Sequence, residues 1–351
     1  SFIVQYYKHP KQIVAIAYRV LAHPLVELII HADSSTTEDT RALGRAKDMG
    51  GERVTILFSR NEHEIRGYNK AARVAKGDVL AFSQDDRMPP LGSDRSHWAE
   101  MVLGIFDSYG PQLGALGLHR GSSALWGSMM HGACGDASED ASGNDWRALA
   151  TVGMRTPIVM SAWTNIGPVA VRKADFFRVG GFDDAFSPPG QPGIGFDTDL
   201  SARLWLNGSH VATACPTRHT TFRNACGGKG TASDREGLER RREQERVNRE
   251  LLRTKYSPMA AEIMDTVRKA QERLHANAPL LAALQEAFPE CVNCEEAPLT
   301  DRAVGFDDHR LCPGTMPNGP AIGESKGSTS YLKKVMLSRA QRATRAEDAP
   351  E

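Results

Sequence analysis

The chain carries no net charge: 43 Lys and Arg stand against 43 Asp and Glu in 351 residues. With neither sign in surplus, no long-range field draws it to nucleic acid or anionic lipid, and no nucleic-acid partner is expected. It also lacks any apolar run near the roughly 18 residues that a membrane-spanning helix needs, so no membrane span is expected in this chain. No charged segment followed by a signal-like apolar core opens it. It begins at Ser1 rather than Met, and its compartment stays open: cytoplasm, or a secretory lumen if an upstream segment belongs to it. Cysteine is sparse, six residues in all, which excludes a small disulfide scaffold. Cys291 and Cys294 form a CxxC pair. With Cys312 and His309 they make an incomplete zinc set, and disulfides or free thiols fit equally.

What is present is alternation. Phe2 to Val4 and Val26 to His31 are short runs of branched and aromatic residues, read as buried strands. Between them, Ile13, Val14, Ala17, Val20 and Leu21 recur at steps of three and four, the mark of one helix face. The unit repeats: Thr36 to Met49 suits a helix, Val54 to Phe58 a strand, Ile65 to Ala75 a helix and Val79 to Phe82 a strand. Repeats of this size predict an α/β fold with a mainly parallel central sheet and helices on both faces. In such sheets ligands gather beyond the carboxyl ends of the strands, where Asp33 and the pair Asp85 and Asp86 fall.

Gly127 to Asp145 is rich in Gly, Ser, Ala and Asp and reads as a surface loop, here bounded at 127–147. Ile158 to Met160 and Pro168 to Val171 return to strand character. Arg235 to Arg253 holds seven arginines and five glutamates with few apolar residues, which predicts a helix facing mostly water. Met259, Ile263, Met264, Val267 and Leu274 predict a further helix able to dock on the body. The expected organisation is a domain over 1–230, a helical extension over 231–290 and a cysteine-containing, largely disordered tail over 291–351.

The stretch LAFSQDDRMPP runs from an apolar strand into two carboxylates and two prolines. On chemistry alone the pair has three uses: holding a divalent cation, acid or base work, or turn capping. A second acidic group, Asp197 and Asp199, begins an apolar-patterned helix, where anions are favoured by unpaired amides. Upstream of it lies Gly180-Gly181-Phe182-Asp183-Asp184. Asn207-Gly208-Ser209 is a sequon that a helix-to-strand turn also explains.

In their order, these stretches resemble the glycosyltransferase family 2 enzymes of the GT-A fold, over roughly Phe2 to Pro216. IVQYYKHPKQI is similar to the family's opening strand and turn, LIIHADSSTTEDT to its second strand with a strand-end Asp, and SRNEHEIRGYNKAARVAKGDVLAFSQDD to its most specific segment. The resemblance implies a Rossmann-like α/β/α sandwich. It also implies a donor site lined by Gln5, Tyr7, Asp33, Asn61, Gly67, Asn69 and Asp85, and a manganese or magnesium ion held by Asp86 and Asp85. Apart from the resemblance, His219 and His210 follow the next strand and offer imidazoles to the diphosphate or metal, His219 being the better placed of the two. NIGPVAVRKADFFRVGGFDDAF and GFDTDLSARLWLNGSHV are similar to the segments that follow. By that likeness Gly181, Phe182, Asp183 and Asp199 shape the acceptor side, and Asp197 is the general base.

The activity so implied is metal-dependent, inverting transfer of a single sugar from a nucleotide-diphosphate sugar, UDP-linked by preference, to a hydroxyl on a glycan, lipid or protein. A Gln-x-x-Arg-Trp signature and flanking membrane helices, both features of polymer-extruding synthases, are absent. Two alternatives stand beside this. Ser83 and Gln84, Ala32 and Phe196 occupy places where the family has acids, which motivates a nucleotide-binding scaffold without turnover. The same sheet also suits a nucleotidyltransferase.

Overall fold

The computed structural model describes residues 1–33, 36–60, 62–90, 98–118, 120–122, 124–126, 130–131, 157–189, 191–214, 222–224 and 235–287. The chain divides into Ser1–Cys312 and Pro313–Glu351, and every described residue belongs to the first unit. Asn61, His219, all six cysteines, most of the 127–147 loop and the 291–351 tail lie outside the described residues.

The first half follows the periodicity closely. Strand β1 (Phe2–Tyr6) leads to helix α1 (Pro10–Leu21), β2 (Leu28–Asp33), α2 (Thr37–Gly50), β3 (Val54–Ser59), α3 (His63–Val74) and β4 (Val79–Gln84). β1 and β2 are buried along nearly their whole length, as their unbroken apolar runs require. Thr36 starts α2 by accepting the N–H of Asp39, whose carboxylate accepts the Thr36 N–H in return at 2.7 Å.

The remaining elements are β5 (Arg87–Met88), α4 (Trp98–Tyr109), β6 (Leu113–Gly117), β7 (Arg120–Ser122), β8 (Met130–His131), β9 (Ile158–Met160), β10 (Trp163–Thr164), β11 (Val169–Arg172), α5 (Lys173–Arg178), α6 (Phe196–Leu206), β12 (His210–Ala214), β13 (Arg223–Asn224), α7 (Arg235–Tyr256), α8 (Ala260–Ala276) and α9 (Ala278–Ala287).

Eight strands form the main sheet in the order β3-β2-β1-β4-β11-β6-β12-β9. β3, β2, β1 and β4 run parallel, as do β6 and β12, while β11 and β9 run against their neighbours. The result is a Rossmann-like α/β fold with a mostly parallel sheet. Right-handed crossovers put α1 and α2, which pack on each other, on one face, and α3, which returns the chain to β4, on the other.

Two features of this topology place the site. The order reverses between β1 and β4, and the mouth of that reversal is where open α/β sheets bind ligands. Because β11 is antiparallel to β4, with Val169 opposite Phe82, its entry residues 165–168 arrive beside the exit of β4.

Behind the mouth lies an aromatic cluster of Tyr68, Phe82, Phe176, Phe182 and Phe196, with ring centroids 5.0 to 6.4 Å apart. The helices after residue 235 belong to the same compact unit as the sheet. Gln271 of α8 accepts the Met160 N–H at 2.7 Å and so covers part of the edge strand β9. No helix among the described residues is long and apolar enough to cross a membrane.

Candidate active site

At the reversal, Asp85 is knitted into the end of β1. Its N–H donates to the Gln5 carbonyl at 3.2 Å, its Oδ2 accepts the Tyr7 N–H at 2.7 Å, and its Oδ1 lies 3.0 Å from His9 Nδ1. Burial pushes this carboxyl above the usual range against the pull of His9, and the neighbouring Asp85 in turn raises His9. Asp86 differs. Its side chain is 44% exposed, its Oδ1 has no hydrogen-bond partner, and Arg87 Nε stands 3.8 Å from that oxygen. Of the two expected metal aspartates, Asp85 thus has both oxygens in contact with the β1 loop, while Asp86 has the more exposed carboxylate.

Among the described residues, Lys8, just after β1, and His63, at the start of α3, are the non-glycine residues with left-handed backbones, φ 56° and 58°. Such conformations cost of the order of 1 kcal/mol or more and concentrate where geometry serves a site. Tyr7 leaves an exposed ring at the mouth, with Lys8 Nζ 4.8 Å from its centroid.

Asp33 is buried at the end of β2. It accepts the Ser59 hydroxyl at 3.0 Å and the N–H groups of His63 and Glu62 at 3.0 and 3.4 Å. Burial alone would raise this carboxyl, and those donors overcome it and hold it below its ordinary value. Its described contacts therefore order the loop into α3. Gln5 Oε1 meets buried His31 Nδ1 at 2.5 Å. Gly67 serves the same contact from behind, since a Cβ there would overlap the imidazole of His31.

Asn69 brackets the backbone of Phe182, donating to its carbonyl at 2.8 Å and accepting its N–H at 2.9 Å. Phe182 itself points into the aromatic cluster, 2% exposed. Gly181, Phe182, Asp183 and Asp199, expected to shape the acceptor side, are placed as follows. Phe182 is core, and Asp183 caps the turn at Ala185 and pairs with Lys255 at 2.8 Å. Asp199, fully buried, is held by Arg203, Lys255 and Tyr256. A Cβ at Gly181 would press on Phe176 and Asn69. These residues shape the loop from within.

Asp197 faces the mouth from the first turn of α6. Gly195, φ 81°, turns the chain into that helix in a conformation few other residues adopt. Asp197 Oδ1 accepts the Thr198 N–H at 2.9 Å and Oδ2 accepts Asn165 Nδ2 at 3.2 Å, the latter delivered by the entry to β11. Burial raises its pKa, opposed by these donors and the Ile166 N–H.

Glu64 is the residue that sequence reasoning missed. It stands on the first turn of α3, where Gln84 Nε2 donates to its Oε2 at 2.9 Å. Burial, against that hydrogen bond and together with the negative charge of Asp197, pushes it to about 7. An acid in a first helical turn is ordinary dipole chemistry, so nothing in the sequence marked it. His210, by contrast, is structural: Tyr109 Oη lies 2.6 Å from its Nδ1 and Trp205 stacks on its ring. Asn207-Gly208 closes α6, with Gly208 at φ 78°, which accounts for the sequon as a turn.

Among the described residues no three His, Cys, Asp or Glu side chains converge as a complete cation site. The orphaned Oδ1 of Asp86 nonetheless fits a hard cation of the magnesium type, which often takes one or two carboxylates and completes its shell with phosphate and water.

No protein-family model matches the chain, and no curated protein sequence matches it. Among solved structures it is similar to the mannosyltransferase PcManGT from Pyrobaculum calidifontis in complex with GDP-Man and Mn2+, at 14% identity and TM-score 0.47 over 86% of this chain and 77% of that one. It is also similar to GalNAc-T7 with UDP, GalNAc and Mn2+ at 15% identity and TM-score 0.47, covering 61% of this chain and 41% of that one. S. aureus TarS matches at 12% identity and TM-score 0.44, covering 64% of this chain and 36% of that one.

Proposed function

We propose that the chain is a metal-dependent glycosyltransferase of the family 2 type, moving one sugar from a nucleotide-diphosphate donor, UDP-linked by preference, to an acceptor hydroxyl with inversion. The observation that carries this reading is a division of labour at the reversal point: Asp85 is tied to the β1 loop while its more exposed neighbour Asp86 has an oxygen that makes no hydrogen bond and stands 3.8 Å from Arg87 Nε. The order of sequence stretches resembling that family supports it.

Asp86 would hold the manganese or magnesium ion, with His219 as a proposed further ligand, and the bound ion supplies charge neutralisation for the departing diphosphate. Tyr7 offers a ring to the nucleoside, and Gln5 and Asp33 order the floor and wall of that pocket, with Asn61 proposed beside them. Asp197 removes the acceptor hydroxyl proton as the acceptor oxygen bonds to the anomeric carbon. The bond from that carbon to phosphate breaks in the same displacement, its electron pair leaves with the diphosphate, and the configuration inverts. Asn165 keeps one oxygen of Asp197 oriented for that transfer. Glu64, pushed up to about 7 by burial, adds its negative charge beside Asp197 only as pH rises through that value.

The test is calorimetry of UDP, GDP, dTDP and CMP with the purified chain, first with manganese and then with chelator. Manganese-dependent binding of one nucleoside diphosphate, followed by product in an acceptor screen, is the expected result. Binding without turnover of any donor sugar favours the scaffold, and pyrophosphate release from a nucleoside triphosphate favours nucleotidyl transfer.

A further inference from the structure

We infer that helix α7 is a clasp that positions Asp197, acting through Asn248 and Lys255 on the two limbs of the 183–199 loop. The inference rests on the reading of Asp197 as the base, and it concerns the most highly charged helix of the chain, whose sequence suggests a solvated rod. Its outer face fits that picture, with Arg241 beside Glu245 and Arg246 beside Glu243.

Its inner face does not. Asn248 is 2% exposed and its amide nitrogen donates to two carbonyls, Phe186 at 2.9 Å and Ile194 at 2.7 Å. Both amide hydrogens are therefore used on backbone that belongs to opposite limbs of one loop. Seven residues on, about 10 Å along the same face, Lys255 repeats the arrangement one step further out. Its ammonium bridges Asp183 at 2.8 Å and Asp199 at 2.6 Å.

The two rungs are nested, 186 to 194 inside 183 to 199, and Asp197 lies on the return limb between Ile194 and Asp199. Tyr256 Oη adds a bond to Asp199 at 2.6 Å. Leu252 sits between the rungs against Gly195, where an added Cβ would lie 3.0 Å from its Cδ1. Leu251, Leu252 and Tyr256 pack the same face on the core, but apolar contact alone does not fix a register. Here directional donors set the spacing and register of the limb that carries the base.

The experiment uses the full chain with Asn248→Ala, the isosteric Asn248→Asp, which cannot donate two hydrogen bonds, and Lys255→Met. Amide hydrogen exchange is read first. In Asn248→Ala the amides of 198–200, the first hydrogen-bonded ones of the limb that carries Asp197, should exchange at least tenfold faster, with those of β1 and β4 unchanged, Asn248→Asp should match it, and Lys255→Met should give a smaller change in the same amides. No acceleration, wild-type behaviour of Asn248→Asp, or an equal loss of protection across the whole sheet overturns the clasp.

Kinetics are read second. Affinity for UDP with manganese should stay within twofold of the unaltered chain while turnover falls at least tenfold. Unchanged turnover, or a parallel loss of donor affinity, overturns the positioning role. An unaltered chain that binds no nucleoside diphosphate counts against the transferase reading alone, because the exchange result still decides the clasp.

Discussion

His9 Nδ1 lies 3.0 Å from Asp85 Oδ1, joining the loop after the first strand to the exit of the fourth. This contact separates two neighbouring aspartates into different trades, and substitution should separate them experimentally. Asp85→Asn should cost about 2 kcal/mol of stability, the worth of charge-assisted hydrogen bonds lost to His9 and the Tyr7 amide. Asp86→Asn should leave the melting temperature unchanged and remove manganese-dependent nucleotide binding. Denaturant unfolding and calorimetry on the two variants check both halves, and identical behaviour would contradict the division.

Asp197→Asn keeps the side chain's shape and its backbone contacts while removing the base. Transfer should fall about 10²- to 10⁴-fold, with donor affinity unaltered. Steady-state rates at saturating donor decide it.

Glu64 binds its proton more tightly in the folded chain, near pH 7, than its ordinary value of 4.5. Its stabilising contribution is complete below pH 4.5 and is lost as pH rises toward 7, an effect of at most about 3 kcal/mol. Glu64→Gln cannot ionise, so its unfolding free energy should fall less than that of the unaltered chain between pH 5 and 7.5. Parallel curves for the two proteins would refute the elevated pKa.

Gly67→Ala drives a methyl group into the His31 ring and should destabilise by about 2 to 3 kcal/mol. In Gly67→Ala with His31→Ala the two losses should be strongly sub-additive, because the clash needs both partners. A double-mutant cycle by urea unfolding measures the coupling, and additive losses would show that the glycine serves something else.

The alternating strands and helices of the first half were legible because buried parallel strands admit little but branched and aromatic residues. Phe2–Tyr6, Leu28–Asp33 and Val79–Gln84 lie within a few residues of the apolar runs that announce them. The direction of β11 was not legible, since a four-residue strand reads the same either way. The unequal surroundings of Asp85 and Asp86 were not legible, because both lie in the turn between β4 and β5, outside the alternation that orders side chains along a strand. The pairing of Asp199 and Asp183 with Lys255 was not legible, because acids at helix starts and turns look alike in sequence whatever they meet. Asn248 was hidden by composition, an amide among charges on a helix whose inward face mixes it with Leu252 and Tyr256.

The reversed strand β11 also governs how the protein can be made. It fills the gap between β4 and β6 only after Val169 has been synthesised, some eighty residues behind the strand it must cover. Until then the apolar edge Val79-Leu80-Ala81-Phe82 is an open template for pairing with another copy. Ribosome-bound chains and fragments ending before that point should therefore aggregate or engage chaperones, whereas chains that include β11 have closed that edge against themselves.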